Sequence, residues 1–125
     1  MDFELHYRDG IFEVVTHGDA EVVKFREYLD RTASHEHWSP GAPVLHDHSD
    51  LNSGPLTVGD VARIADYCAA SRNDFGRSKV AVVLSRDLEY GLARMWGALV
   101  DGKWDAIPNL FRSRDEAVLW LKGTP

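Results

Sequence analysis

The stretch that decides the fold begins Lys79-Val80-Ala81-Val82-Val83-Leu84-Ser85, continues from Asp87 to Val100 and ends with Asn109 to Leu121. Its first part is a continuous apolar, β-branched run, which is typical of a strand covered on both faces. The hydrophobic period then indicates an amphipathic helix, a short strand and a second amphipathic helix. Such a unit supplies the crossover that a parallel sheet needs. The second half of the chain is therefore predicted to contain parallel strands at 79–84 and 107–111.

The first half of the chain adds an antiparallel hairpin and a third strand. Residues 3–7 alternate between apolar and polar side chains, which predicts a half-buried strand. Asp9-Gly10 is a strong hairpin signal, so the segment from Ile11 to Thr16 is predicted to pair antiparallel with the first strand. Asp19 is a candidate N-cap for the first helix. A short third strand is predicted at 43–48, followed by a polar loop at 49–56.

Two capping boxes and one apolar stripe define the later helices. A capping box pairs two residues three positions apart at a helix start, and the side chain of each accepts a hydrogen bond from the backbone N–H of the other. Two pairs have this spacing, Thr57 with Asp60 and Ser113 with Glu116. The second helix is predicted to bury five residues and the third to present four apolar residues on one face, with Leu92 and Met95 buried at its centre. The first set is Val58, Val61, Ala62, Ala65 and either Cys68 or Ala69, and the second is Leu88, Leu92, Met95 and Leu99.

Together these patterns predict an α/β domain spanning 1–125. Its mixed five-stranded sheet has an antiparallel first strand, and four helices lie at 19–33, 57–74, 87–101 and 113–122. A chain of 125 residues is long enough for one hydrophobic core.

Composition excludes several classes of function. The net charge of −6, with 14 Lys and Arg that form no run, argues against a nucleic-acid partner. The single cysteine, Cys68, excludes an internal disulfide and a cysteine-based zinc site, and its alanine-rich surroundings predict a buried, inert thiol. No apolar run is long enough for a membrane span, and no signal-peptide pattern begins the sequence, so we expect a cytoplasmic protein.

The element order over the whole chain, and residue patterns in its second half, resemble the STAS fold and more narrowly the SpoIIAA-like family, which is sometimes grouped as STAS/SEC14. The residues that carry the resemblance are Lys79-Val80-Ala81-Val82-Val83, Tyr90-Gly91, Ala93-Arg94-Met95, Phe111-Arg112-Ser113, Asp115-Glu116-Ala117 and Trp120-Leu121. The resemblance implies a non-enzymatic regulatory module that binds a protein partner, and it leaves self-association open.

A phosphorylated serine in the loop after the third strand is the switch of well-studied STAS proteins, and Ser53 is the residue that matches it here. The match is incomplete, because Asn52 stands where that family has an acid and Pro55 precedes the helix. We expect the segment from Asp47 to Thr57 to be the working surface, since crevices form beyond the carboxyl ends of parallel strands. Its candidate regulatory or partner-binding residues are Asp47, Ser49, Asp50, Ser53 and Thr57.

Two alternatives stay open beside this interpretation. The SEC14 kinship implies a carrier of a small apolar ligand, held in a groove beside Tyr90, Met95 and Trp96. A metal-binding protein is the weaker alternative, because imidazoles suit divalent ions but their spacing here matches no established ligand pattern. The four histidines concerned are His35, His37, His46 and His48. No catalytic or nucleotide-binding motif is present, so we expect neither an enzyme nor a cofactor.

Overall fold

The computed structural model describes residues 1–123. Its strands are β1 (Asp2–Arg8), β2 (Ile11–Asp19), β3 (Val44–Asn52), β4 (Lys79–Val83) and β5 (Ile107–Phe111). Its helices are α1 (Val22–Ala33), α2 (Val58–Ala70), α3 (Arg72–Phe75), α4 (Asp87–Val100) and α5 (Arg114–Leu121).

The strands form one mixed sheet in the order β1-β2-β3-β4-β5. β1 pairs antiparallel with β2, and the other three pairings are parallel. The hairpin turn has positive φ at Asp9 (53°) and Gly10 (78°), the geometry that matches the twist of two-residue hairpins. The predicted α/β class, the antiparallel first strand and the parallel pairing of 79–84 with 107–111 are confirmed.

The two faces of the sheet bury separate apolar clusters. The larger cluster lies between the sheet and α1, α2 and α4, and the smaller lies under α5. The second face also holds an ion pair, in which Arg114 donates to both carboxylate oxygens of the buried Glu13 at 2.7 Å. This hydrogen bonding lowers the pKa of Glu13, which is buried, whereas Arg114 is half exposed.

Three predicted boundaries are wrong. β2 continues to Asp19, so α1 begins only at Val22, and Asp19 accepts a hydrogen bond from Asn52 (2.9 Å) instead of capping a helix. β3 continues to Asn52, because the long β2 pairs with it past the predicted end at His48.

The predicted helix over 57–74 is two helices, so residues 1–123 contain five helices and not four. Ser71 ends α2 because its N–H bonds to the carbonyls of Tyr67 and Cys68 and its hydroxyl bonds to Cys68 O. The short α3 follows and ends at Gly76, whose φ is 57°. The capping box at Thr57 and Asp60 is confirmed, with both reciprocal hydrogen bonds present.

The buried faces of α2 and α4 differ from the predicted stripes. On α2, Val58 is 69% exposed. On α4, Leu88 is 56% exposed, and Leu92 and Met95 are only half-buried. The buried residues of α4 are Glu89, Trp96 and Val100, each one position after a residue of the predicted stripe. The predicted burial of Leu92 and Met95 is therefore wrong, and Trp96 lies on the core face instead.

Candidate functional site

A pocket of about 70 Å³ lies on the larger core face, between the sheet and three helices. Its walls are mostly apolar side chains of α1, α2 and α4 and the adjacent ends of β3 and β4. The main wall residues are Phe25, Leu51, Leu56, Val61, Ile64, Val82, Leu84, Leu92 and Ala93. Leu56, Leu92 and Ala93 are only half-buried, so the pocket reaches the surface beside α4.

Two buried histidines of β3 form the floor of the pocket. His46 and His48 lie two positions apart on a strand, so both side chains point to the same face. The Tyr28 ring centre lies 4.8 Å from that of His46, and His48 Nδ1 is 2.7 Å from Thr16 Oγ1. Burial lowers the pKa of His46 to about 3 and that of His48 to about 4, with the charge of Asp47 opposing the second shift. Both imidazoles are therefore neutral at ordinary pH.

A buried carboxylate, Glu89 of α4, lies in the opposite wall and is 3% exposed. Its Oε2 accepts the N–H of Ser53 at 3.0 Å, and its Oε1 forms an ion pair with Arg86 Nε at 2.8 Å. Arg86 also donates to the carbonyl of Leu51 at 2.7 Å. Glu89 and Arg86 thus connect the start of α4 to the end of β3 and the turn that follows it.

Trp96 and Cys68 complete the polar part of the lining. The Trp96 N–H interacts with the sulfur of Cys68, and this interaction lowers the pKa of the thiol. Burial is the larger effect and raises the pKa of Cys68 to about 12. The predicted buried, unreactive thiol is therefore found, and it lies in the pocket wall.

Several buried polar residues belong to the pocket lining. Within residues 1–123, four buried side-chain polar atoms lack a hydrogen bond: His46 Nε2, Glu89 Oε1, Trp96 Nε1 and Trp104 Nε1. The first three belong to residues that line the pocket. Glu89 Oε1 is nevertheless ion-paired with Arg86, and Trp96 interacts with the thiol of Cys68, which leaves His46 Nε2 as the atom of these three without a partner. Apolar walls with a few convergent polar atoms are typical of small-molecule sites.

The residues predicted for partner binding are spread over β3 and the turn after it. Asp47 is half-buried on the strand face away from the pocket, and its Oδ1 accepts both the N–H (3.0 Å) and the hydroxyl (2.6 Å) of Ser49. Asp50 is exposed, and Thr57 caps α2. Ser53, which the sequence placed in a polar loop, is only 6% exposed and lines the pocket.

Two of the three residues predicted for a ligand groove lie together in the structure. Tyr90 and Trp96 both line an outer groove of about 300 Å³ that also includes Pro108, and Trp96 in addition lines the inner pocket. The guanidinium carbon of Arg112 lies 4.3 Å from the Tyr90 ring centre. Met95 packs half-buried against the core.

The four histidines form two separate pairs. His35 and His37 lie beside Tyr7, with His37 stacked on that ring at 5.1 Å, whereas His46 and His48 lie beside Tyr28. In the part of the chain that the structure describes, no three His, Cys, Asp or Glu side chains are arranged to hold a metal ion. The arrangement therefore gives the metal hypothesis no support.

Sequence reasoning missed Glu89 and Tyr28 as site residues. Glu89, Ala93, Trp96 and Val100 follow the i, i+4, i+7, i+11 spacing of a helix face, so a carboxylate within an otherwise apolar stripe was the available signal. Tyr28 gives no such signal, because an aromatic residue on an apolar helix face is ordinary core.

Comparison with known proteins identifies the fold. No family model and no curated protein matches this chain. A search of solved structures finds the crystal structure of an uncharacterised protein from the DUF3478 family of Shewanella loihica PV-4, described as having a SpoIIAA-like fold. The two structures superpose with a TM-score of 0.61 at 14% sequence identity, over 96% of this chain and 92% of the other. The chain therefore has a SpoIIAA-like fold, as its sequence predicted.

Within residues 1–123 no helix combines the length and the apolar character needed to cross a bilayer.

Proposed function

We propose that this protein is a non-enzymatic module that binds a small ligand in the pocket between the sheet and α1, α2 and α4. The observation that carries the proposal is a mostly apolar cavity whose lining includes the buried polar residues His46, His48 and Glu89. Apolar walls with a few polar groups are typical of small-molecule sites.

The size of the pocket limits what it holds. Sites for drug-sized molecules have volumes of roughly 300–1,000 Å³, and this cavity of about 70 Å³ is much smaller. A lipid carrier of the SEC14 kind is therefore not what we propose. The ligand is a compound of a few atoms, or the end of a longer one that leaves through the opening at Leu56, Leu92 and Ala93.

The protonation states in the pocket favour binding over chemistry. An effective general acid or base has a pKa near the working pH. The lowered pKa values of His46 and His48 make both imidazoles weak bases, and the raised pKa of Cys68 keeps its thiol protonated. These shifts support the proposal that the protein is not an enzyme.

A fragment screen by NMR tests the proposal. Compounds of three to eight non-hydrogen atoms are added to ¹⁵N-labelled protein, and the Trp96 indole and Ser53 amide signals are followed. We expect saturable shifts in the wild type. Ala93→Leu, which fills the pocket, should abolish them, and Ala98→Leu, at an exposed position of the same helix, should not. Absence of any saturable shift, or equal binding by Ala93→Leu, would reject the proposal.

A second candidate function is protein recognition at the edge of the sheet beside the turn at 53–57. Val58 and Leu88 are large apolar residues in the first turns of α2 and α4, and both are mostly exposed. These helices follow adjacent parallel strands and pack together, so both first turns lie at the same edge. We propose this surface as the partner-binding site that the STAS resemblance implies.

Partner binding is tested by comparing apolar-to-polar variants. Val58→Ser with Leu88→Ser should abolish capture of a partner that the wild type retains. Val23→Ser, at an exposed position of α1, should leave capture unchanged. The same capture by all of these proteins would reject the surface.

A phosphorylation switch at Ser53 belongs to this second candidate. Phosphate would add about −1.5 to −2 charge at a buried position whose N–H binds the Glu89 carboxylate, so it would force the turn open. Ser53→Asp should weaken partner capture relative to Ser53→Ala. Equal capture by the two variants would remove the switch.

A further inference from the structure

The outer side of β1 carries free backbone groups. Asp2–Arg8 is the last strand at one border of the sheet, and β2 is its neighbour. The two-residue turn Asp9-Gly10 makes Arg8 and Ile11 a hydrogen-bonded pair, and in an antiparallel ladder such pairs alternate with non-hydrogen-bonded pairs. The N–H of Phe12 bonds to a carbonyl on the β3 side, which agrees with this alternation. The residues of β1 whose N–H and C=O groups point away from β2 are therefore Phe3, Leu5 and Tyr7.

β1 lacks most of the features by which the borders of sheets avoid pairing with another strand. Such features are a short length, a proline, a bulge or a covering loop. β1 has seven residues and no proline, and its register with β2 is continuous. No backbone group of a loop within residues 1–123 bonds to its outward groups. Charged side chains are the remaining protective feature, and on β1 their signs favour one particular partner.

That partner is a second copy of β1. Two copies placed antiparallel about a two-fold axis at Leu5 bring complementary side chains together along the whole strand. The three residues with outward N–H and C=O groups meet one another in this register, so the hydrogen-bond ladder between the copies is complete. The Tyr7 side chain, which is 41% exposed in the single chain, lies beside the Phe3 ring of the copy. The facing pairs are Asp2 with Arg8, Phe3 with Tyr7, Glu4 with His6, and Leu5 with Leu5.

The charged side chains fall at the positions where the two strands are closest. Asp2, Glu4, His6 and Arg8 form the non-hydrogen-bonded pairs, in which the two Cα atoms are about 4.5 Å apart. The carboxylate of Asp2 then faces the guanidinium of Arg8 at both ends of the contact. The carboxylate of Glu4 faces the imidazole of His6, a group that it already approaches within one strand at 3.2 Å. Cross-strand pairs of opposite charge are stabilising, and like charges directly opposite each other are destabilising.

Other registers lack this complementarity. A shift by one residue sets the outward groups of one copy against groups of the other that already bond to β2. A shift by two residues in one direction sets Glu4 directly against Glu4. A shift by two in the other direction sets His6 against His6 and leaves Phe3 beyond the ladder. The sequence of β1 therefore selects one register, centred on Leu5.

We propose that two copies of this protein associate through β1, antiparallel about Leu5, and join their five-stranded sheets into one. A two-fold contact uses the same surface on both copies, so the assembly ends at a dimer. A strand pair is a small interface, and small interfaces are weak, so we expect a Kd of roughly 50–500 μM. The dimer is independent of the pocket and of the surface proposed at Val58 and Leu88.

Amide hydrogen exchange tests the contact in the wild-type protein. Exchange is followed by ¹⁵N NMR at about 20 μM and about 1 mM protein, below and above the expected Kd. The amides of Leu5 and Tyr7 point outward and should exchange at least about twofold more slowly at the higher concentration, in step with the fall of the monomer fraction measured by sedimentation equilibrium. The amides of Glu4 and His6 bond to β2 in the single chain, so they are internal controls and should not follow the concentration.

Two charge-reversal variants test the register. Asp2→Arg and Arg8→Glu each place like charges opposite each other at both ends of the contact, so each should raise the Kd at least about tenfold. An equimolar mixture of the two variants should associate with a Kd within about threefold of the wild-type value, because both ends of the mixed dimer again pair opposite charges. Asp101→Arg and Lys103→Glu make the same changes of net charge in the exposed turn after α4. These matched controls should dimerise as the wild type does.

A second pair of variants guards against a failure to fold. Arg8 also lies 3.5 Å from Glu13, so the ¹⁵N spectrum of Arg8→Glu is compared with that of the wild type. If this variant does not fold, Glu4→Arg and His6→Glu take the place of the first pair. Each of them alone should weaken the dimer, and their mixture should restore it.

Each outcome supports or overturns the dimer. A protein that is monomeric at about 1 mM overturns it, since the expected Kd lies below that concentration. A dimer in which Leu5 and Tyr7 exchange as fast as in the monomer also overturns it, because such a dimer uses another surface. Failure of the variant mixtures to associate overturns the register about Leu5.

Discussion

Lowering the pH from 7.5 to 5.0 should destabilise this protein through His46 and His48. Both imidazoles are buried and neutral, with pKa values of about 3 and about 4 in the folded state. In the unfolded chain each has the ordinary value of 6.5 and takes up a proton as the pH falls. The unfolded state therefore binds more protons, and stability is lost as the pH falls below 6.5.

The magnitude follows from the width of that window. At pH 5.0 the unfolded imidazole lies about 1.5 units below its pKa, and the folded one is still neutral. Each unit is worth about 1.4 kcal/mol, so each histidine costs about 2 kcal/mol and the pair about 4 kcal/mol. The carboxyl groups of Glu13 and Asp60, whose pKa values are lowered from 4.5 and 3.8, lose their contribution only at lower pH. The range from pH 7.5 to 5.0 therefore isolates the histidines.

Urea unfolding at four pH values between 7.5 and 5.0, followed by tryptophan fluorescence, measures this effect. His46→Leu should reduce the pH dependence to about half. His37→Gln, at an exposed position, is the matched control and should leave it unchanged. A loss below about 0.5 kcal/mol in the wild type would refute the burial of two neutral imidazoles, and so would a His46→Leu protein with the full pH dependence.

Three further predictions concern folding energetics, and urea unfolding at pH 7.5 measures each of them. Trp96→Ala should lower the free energy of unfolding by about 3–5 kcal/mol and Leu88→Ala by less than about 0.5 kcal/mol, because only Trp96 is on the buried face of α4. Equal losses would contradict this assignment of the buried face. Thr57→Ala should cost about 1 kcal/mol through the lost cap and Thr57→Ser much less, since serine keeps the hydroxyl. Arg114→Ala should cost about 3 kcal/mol, because it leaves the buried Glu13 without its bidentate partner. Arg8→Ala should cost less than about 1 kcal/mol, since Arg8 is exposed and 3.5 Å away; the reverse order would contradict the assignment of the ion pair.

Local patterns predicted the framework of the fold because each carries its own physical signal. The apolar run at 79–84, the Asp9-Gly10 turn and the Thr57–Asp60 box all depend on residues close in sequence. The end of β3 was not predictable in this way. Its last residues are polar and suggest a loop, and they are held in the sheet by a β2 strand about 33 positions earlier.

The candidate site was harder to predict, because it depends on contacts between distant segments. A hydropathy pattern places Glu89 on the solvent side of α4, and it places Leu88 in the core. In the structure Glu89 is buried and Leu88 is exposed. Glu89 is accommodated there because it binds the amide of Ser53, 36 residues away, and the guanidinium of Arg86. The sequence did point to Ser53, Trp96, His46 and His48, but for three different reasons. Only the structure places these residues around one cavity.

The outer edge of β5 affects whether another chain can add a strand to this sheet. Ile107 and Phe111 bond inward to the β4 side, so the two positions between them that face outward are Pro108 and Leu110. Proline has no N–H, and the N–H of Leu110 is taken by the side chain of Asn109 at 3.0 Å. An incoming strand would thus find no free outward amide along β5, where only the carbonyls of Pro108 and Leu110 face outward, and this edge is a poor template for strand addition. Association with another chain is favoured instead at the helices, the turns or the β1 edge.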